Sequence, residues 1–117
     1  MPKNTHDVKE MLPLTPAVFQ ILLALADGER HGYSIMREVA ESTENRLRLG
    51  PGLLYGSIKR MLADGMIEEK ERTDPASDDG RRRYYKLTSF GRRVAIAEAE
   101  RLESLVGEAR AKRLLRA

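Results

Sequence analysis

Around Gly65 the hydrophobic periodicity of this 117-residue chain switches from helical to extended, and that switch limits the chain to a few architectures. Before it lie three helix-period segments, each punctuated by glycine or proline. Thr15-Pro16 supplies an N-cap and a first-turn proline for a helix expected to reach about Asp27, where Gly28 stops it. Val18, Ile21, Leu22 and Leu25 recur at helical spacing there, and Phe19, Leu23 and Ala26 widen the stripe into a mostly buried scaffold helix. A second helix is expected from after His31-Gly32 to about Thr43, with Ile35, Met36, Val39 and Ala40 inward. Residues 44–50 form a connector with a short extended piece around Leu47 to Leu49. Pro51 and Gly52 then open a third helix that runs to about Asp64.

After Gly65, Met66 to Thr73 and Arg83 to Thr88 read as two strands, the second with Tyr85 and Leu87 on one face. The turn formers from Asp74 to Gly80 make the tip of a long hairpin. From Ser89 onward a long helix carries an approximate apolar seam of Val94, Ala97, Leu102, Leu105, Val106 and Ala109. The expected fold is mainly α with a small β-hairpin: a winged helix-turn-helix plus a long C-terminal dimerisation helix. Residues 1–13 form a polar lead with room for a short helix, residues 14–91 the winged domain, and residues 92–117 the dimerisation helix.

Helix, helix, helix, hairpin, helix is the order in which a helix-turn-helix precedes a β wing, and in such modules the third helix enters the major groove of DNA. At 100° per residue, Leu54, Ile58, Met61 and Leu62 share one face of that helix and would meet the first two helices. The opposite face carries Gly52, Gly56, Lys59 and Ala63, flanked by Tyr55 and Arg60. An interior glycine costs a helix about 1 kcal/mol relative to alanine, and close approach to a partner gives Gly56 a reason to be there. The alternative is a tolerated glycine beside solvated cations. The expected contacts on this helix are Gly52, Leu53, Tyr55, Gly56, Ser57, Lys59 and Arg60.

A second set, Arg81, Arg82, Arg83 and Tyr84, lies where the hairpin tip meets a strand. A planar guanidinium donates bidentately to phosphate and enters narrow minor grooves. A run of charge alone is ordinarily a solvated face, so it is the position on a wing that points to DNA. Tyr85, sharing a face with Leu87, is expected in the core, whereas Tyr84 is the candidate for a phosphate hydrogen bond.

Net charge of +3 agrees with a nucleic-acid partner without requiring one. Absence of cysteine removes disulfides, thiolate catalysis and cysteine-ligated metals. His6 and His31 have no carboxylate pattern of a metal site around them, and His31 is expected to cap or pack at the start of the second helix. Glu68, Glu69 and Glu71 alternate with Lys70 and Arg72, so cross-strand pairing accounts for them without acid–base chemistry. No phosphate-binding glycine loop or nucleophile motif occurs, and neither an enzyme nor a cofactor is expected. The longest apolar stretch, Ala17 to Ala26, is shorter than the ~20 residues a membrane span needs, and Met1 to Lys9 lacks an apolar signal region, so a cytoplasmic protein without a membrane partner is expected.

The segments Leu14-Thr15 to Ala26, His31-Gly32-Tyr33-Ser34-Ile35, Gly52-Leu53-Leu54-Tyr55, Gly65-Met66-Ile67 and Arg83 to Gly91, in this order and spacing, resemble the PadR-like transcriptional regulators. The resemblance implies a winged-helix repressor that dimerises through its C-terminal helix and binds a roughly palindromic promoter site. That family commonly has proline after the tyrosine of the third helix, where this chain has Gly56. The stretch after Gly91 is short for the family, which suggests one long helix in place of a larger effector-binding domain.

The resulting expectation is a sequence-specific transcriptional regulator whose partners are double-stranded DNA, a second copy of itself, and a small-molecule effector of unknown identity. The competing reading is a winged-helix protein-interaction module that binds no DNA.

Overall fold

The computed structural model describes residues 7–76 and 80–116. A 3-10 helix, Val8–Met11, precedes α1 (Pro16–Leu25), β1 (Arg30–His31), α2 (Gly32–Ser42), α3 (Pro51–Ala63), β2 (Ile67–Thr73), β3 (Arg81–Leu87) and α4 (Ser89–Ala111). The expected winged helix-turn-helix with a long C-terminal helix is the observed architecture. No helix among the described residues is long and apolar enough to cross a membrane.

Capping sets the helix boundaries. Thr15 accepts a hydrogen bond from the Val18 amide at 3.2 Å, with Pro16 in the first turn of α1. At α4, Thr88 accepts from the Gly91 amide at 2.9 Å and donates to the Gly65 carbonyl. One side chain therefore both starts α4 and ties it to the end of α3.

Ile21, Leu22 and Leu25 of α1, Ile35 and Val39 of α2, and Leu54, Ile58 and Met61 of α3 form the core, closed by Met66, Ile67, Tyr85 and Phe90. Full burial of a side chain such as Leu54 contributes about 2–3 kcal/mol, so the three helices hold one another chiefly through these positions. Gly91 makes the closest approach: a β-carbon there would collide with the Met66 carbonyl. Glycine at residue 91 lets α4 cross the start of β2 at backbone distance.

Four expectations change. The first helix stops at Leu25, and Ala26 to Gly28 form its terminal turn. The sheet has three strands in the order β1-β3-β2, because Arg30 and His31 pair with Tyr85 and Tyr84; two residues are too few to show alternation in sequence. β3 begins at Arg81 rather than Arg83, since pairing with β2 continues to Arg81 opposite Thr73. Leu47 to Leu49 is irregular connector and not a strand. Of the expected hairpin tip, Ser77, Asp78 and Asp79 lie outside the described residues, as does His6 of the lead.

The seam assigned to dimerisation also divides. Val94 is fully buried in the core of its own domain and has no surface left to offer a partner. Ala97, Leu102 and Ala109 are half-buried, while Leu105 and Val106 are exposed, together with Ile96, Leu114 and Leu115. The break falls at Glu98, which is 2% exposed and receives both Nε and NH2 of Arg101 at 2.8 Å. The guanidinium beside it, with a further bond from the backbone of Leu14, holds this carboxyl below the usual range against the opposing effect of burial. The buried positions of α4 end at Glu98, and the later described residues of the helix are half-buried or exposed.

Candidate nucleic-acid interface

α3 turns Leu54, Ile58 and Met61 inward and leaves Gly52, Leu53, Tyr55, Gly56, Lys59 and Arg60 exposed, with Ser57 half-buried. Nothing lies within 4 Å of a β-carbon built at Gly52 or Gly56, so this face is open and its contour is low. Gly50 caps the helix without a side-chain hydrogen bond, leaving first-turn amides free for an external acceptor.

Tyr55 packs back against α2. The end of its ring lies on Gly32 in the first turn of α2, where a β-carbon would overlap it. The phenol is nonetheless 48% exposed and borders a pocket of about 320 Å³ with His31, Tyr33, Arg82, Arg83 and Tyr85. Tyr85 itself is buried, as its place beside Leu87 led us to expect; burial raises its phenol above the ordinary range, with a smaller push from Glu69.

The wing separates its basic residues by strand alternation. Arg81 and Arg83 point to one face and are largely exposed, each beside a diagonal carboxylate: Arg81 to Glu71 at 3.7 Å and Arg83 to Glu69 at 3.9 Å. Arg82 points the other way. Its Nε lies 2.8 Å from Asp74, and its NH1 reaches the two ring nitrogens of His31 at 3.0 and 2.9 Å. Tyr84 meets the same histidine edge to face at 5.4 Å, with Arg72 over its own ring at 5.7 Å. Arg82 and Tyr84 thus sit in the frame of the wing, while Arg81 and Arg83 project from the strand face that carries Tyr85. Lys86 to Glu68 at 3.6 Å completes the cross-strand pairing expected of these acids.

His31 joins this frame to the helix-turn-helix. Its Nδ1 accepts from the Ser34 amide at 3.2 Å and so caps α2. Burial lowers its pKa from the ordinary 6.5, and Arg82 lowers it further while Asp74 opposes. The neutral ring, which keeps an acceptor nitrogen, is the form that fits.

Two cations escaped the sequence reading. Arg46 and Arg48 are exposed on the connector that leads into α3, between Leu47, which is half-buried, and Leu49, which is buried. The alternation of arginine with leucine was the available signal. Among the described residues, no group of three or more potential metal ligands lies together.

A family model described as the transcriptional regulator PadR-like family matches residues 21–97. A transcriptional regulator of Mycobacterium tuberculosis is 35% identical over 89 residues, which cover 75% of this chain and 77% of that protein. An uncharacterized 37.1 kDa protein in transposon TN4556 of Streptomyces fradiae is 38% identical over 87 residues; the match covers 74% of this chain but only 23% of that protein. The match to protein X of Lysinibacillus sphaericus likewise covers 64% of that relative's length.

Among solved structures, a PadR family transcription regulator of Clostridium difficile superposes with a TM-score of 0.71 at 24% identity, over 86% of this chain and all of that one (100%). Bacillus subtilis PadR in complex with operator DNA gives 0.63 at 21% identity, covering 77% of this chain and 48% of that one. At these identities the structures establish a shared fold. With the family model spanning most of the winged domain, this chain belongs to the PadR-like family of transcriptional regulators.

Proposed function

We propose that the protein is a sequence-specific DNA-binding repressor that acts as a homodimer on a roughly palindromic promoter site. The observation that carries this reading is the outer face of α3, where Gly52 and Gly56 leave open space beside exposed Tyr55, Lys59 and Arg60. A low, cationic helix face with free first-turn amides suits a major groove ~12 Å wide. Arg83 on the wing lines the pocket shared with Tyr55, and Arg81 lies on the same face of β3. In Bacillus subtilis PadR the same fold is found on operator DNA.

The second copy is argued from α4. Leu105 and Val106 are each at least 41% exposed, and with half-buried Leu102 and Ala109 they leave an apolar stripe on α4 beyond the completed core that needs a cover. Twofold pairing along α4 would set two copies of α3 about one DNA turn, ~34 Å, apart. The cleft between paired helices is where a small apolar effector would enter; release of bound DNA by members of a phenolic-acid and hydrophobic-cation panel tests that part.

Selection of bound duplexes from a random pool tests the whole reading. An enriched inverted repeat is the expected result. Recovery of no sequence above background, with no retardation of any duplex at low salt, would favour the protein-interaction reading.

A further inference from the structure

We infer that Arg46 and Arg48 of the α2–α3 connector join the α3 cations Lys59 and Arg60 as the main electrostatic grip on DNA, with the wing arginines making a minor net contribution. This rests on the DNA-binding reading above and assigns its phosphate contacts.

Charge compensation separates the two regions. On the wing, Arg72, Arg81, Arg82, Arg83 and Lys86 each lie within 4 Å of a carboxylate oxygen, from Glu29, Glu71, Asp74, Glu69 and Glu68 in turn. A phosphate approaching Arg81 or Arg83 would meet the repulsion of Glu71 or Glu69 as well as the attraction of the guanidinium. Lys70 is the wing cation without such a partner among the described residues.

The connector has the reverse character. Neither Arg46 nor Arg48 makes an ion pair, side-chain hydrogen bond or ring contact with any described residue. Glu44, the nearest carboxylate in sequence, sits in a left-handed turn with Asn45 and pairs with neither. Their charge is therefore uncompensated.

It is also held in place. Thr43 Oγ1 donates to the Val39 carbonyl at 2.8 Å and accepts from the Leu47 amide at 3.1 Å. The Asn45 amide reaches the Ala40 carbonyl at 2.7 Å, and buried Leu49 fixes the far end. With Leu47 and Leu49 turned in, Arg46 and Arg48 face solvent immediately before α3. Leu47 borders the same groove as Gly52, Leu53, Gly56 and Arg60, so the connector and the outer face of α3 are adjacent. A DNA backbone flanking a groove occupied by α3 would lie against these arginines.

Removing one cation–phosphate interaction lowers the slope of log affinity against log salt by about 0.9. The test measures that slope by fluorescence anisotropy, on a duplex recovered from the random pool and on a scrambled one, for four proteins. These are the wild type, R46A/R48A, R46K/R48K and R81A/R83A. The expected slope falls by about two units in R46A/R48A, equally on both duplexes, is retained in R46K/R48K, and falls by less than one unit in R81A/R83A. An unchanged slope in R46A/R48A, or a larger fall in R81A/R83A, would overturn the assignment while leaving DNA binding intact. Wild-type protein that binds no duplex at low salt would overturn the underlying reading along with it. Thermal melts of the four proteins identify any effect that arises from unfolding.

Discussion

The ring of Tyr55 on α3 rests on Gly32 of α2, in the space that any side chain at residue 32 would fill. Because the phenol is 48% exposed, it can swing outward when displaced. Gly32→Ala is therefore expected to cost under about 1 kcal/mol of stability while moving Tyr55 off its position. DNA affinity should fall several-fold. A double-mutant cycle with Tyr55→Ala checks this: in a chain lacking the ring, Gly32→Ala should have little further effect on binding. Additive losses would show that the two residues act separately.

Gly91 allows no such relief, because the obstacle is the backbone carbonyl of Met66. Gly91→Ala must push α4 away from β2 and is expected to destabilise by about 2–3 kcal/mol. Urea denaturation measures the change, and a loss below about 0.5 kcal/mol would contradict the close approach.

His31 makes the domain sensitive to mild acid. Its folded-state pKa is below the ordinary 6.5, chiefly through burial and then Arg82. The neutral ring's contribution is thus complete above that value and is lost as pH falls through the folded pKa. Protonation would remove the acceptor for the Ser34 amide and set a second cation against Arg82. The melting temperature should drop between pH 7.5 and 5.5, and should drop less in His31→Asn, which keeps a side-chain acceptor for the cap. Parallel pH profiles for the two proteins would rule this out.

Glu98 behaves in the same sense at lower pH. Arg101 and the Leu14 backbone depress its pKa, so its contribution is present above the ordinary carboxylate value of 4.5 and lost as pH falls through the folded pKa. Removing the guanidinium in Arg101→Ala leaves a nearly buried carboxylate with only its backbone partner. A loss of stability at pH 7 is expected, shrinking towards pH 4 as the carboxyl takes up a proton. Denaturation at the two pH values reads this, and an equal loss at both would show that packing of the arginine stem is responsible.

Leu105→Asp with Val106→Asp probes the exposed end of α4. Both side chains are outside the core, so the domain should still unfold cooperatively, with a melting temperature that no longer depends on protein concentration, while the mass in sedimentation equilibrium falls from dimer to monomer. A wild-type protein that sediments as a monomer at tens of micromolar would remove the basis for the dimer.

Much of the fold was legible because its boundaries are local chemistry. Thr15-Pro16 and Pro51 begin helices through caps and fixed φ, and the inward faces of α1, α2 and α3 follow from a period of 3.6. Tyr85 was readable as core from its alternation with Leu87. β1 was not, since two residues carry no period and pair only when β3 arrives beside them. Val94 sits at helical spacing with Leu105, yet one is buried in its own domain and the other exposed; periodicity gives a face and not what covers it.

The basic residues show the same division. Sequence alone determined that three arginines follow the hairpin tip and that two more alternate with leucine before α3. Tertiary structure decided which of them carry uncompensated charge. The partner of Arg72 is Glu29, 43 residues away, and Arg82 reaches His31 across 51 residues. Coulomb attraction acts over a few ångströms of space whatever the separation along the chain, so compensation is fixed only when the strands pair.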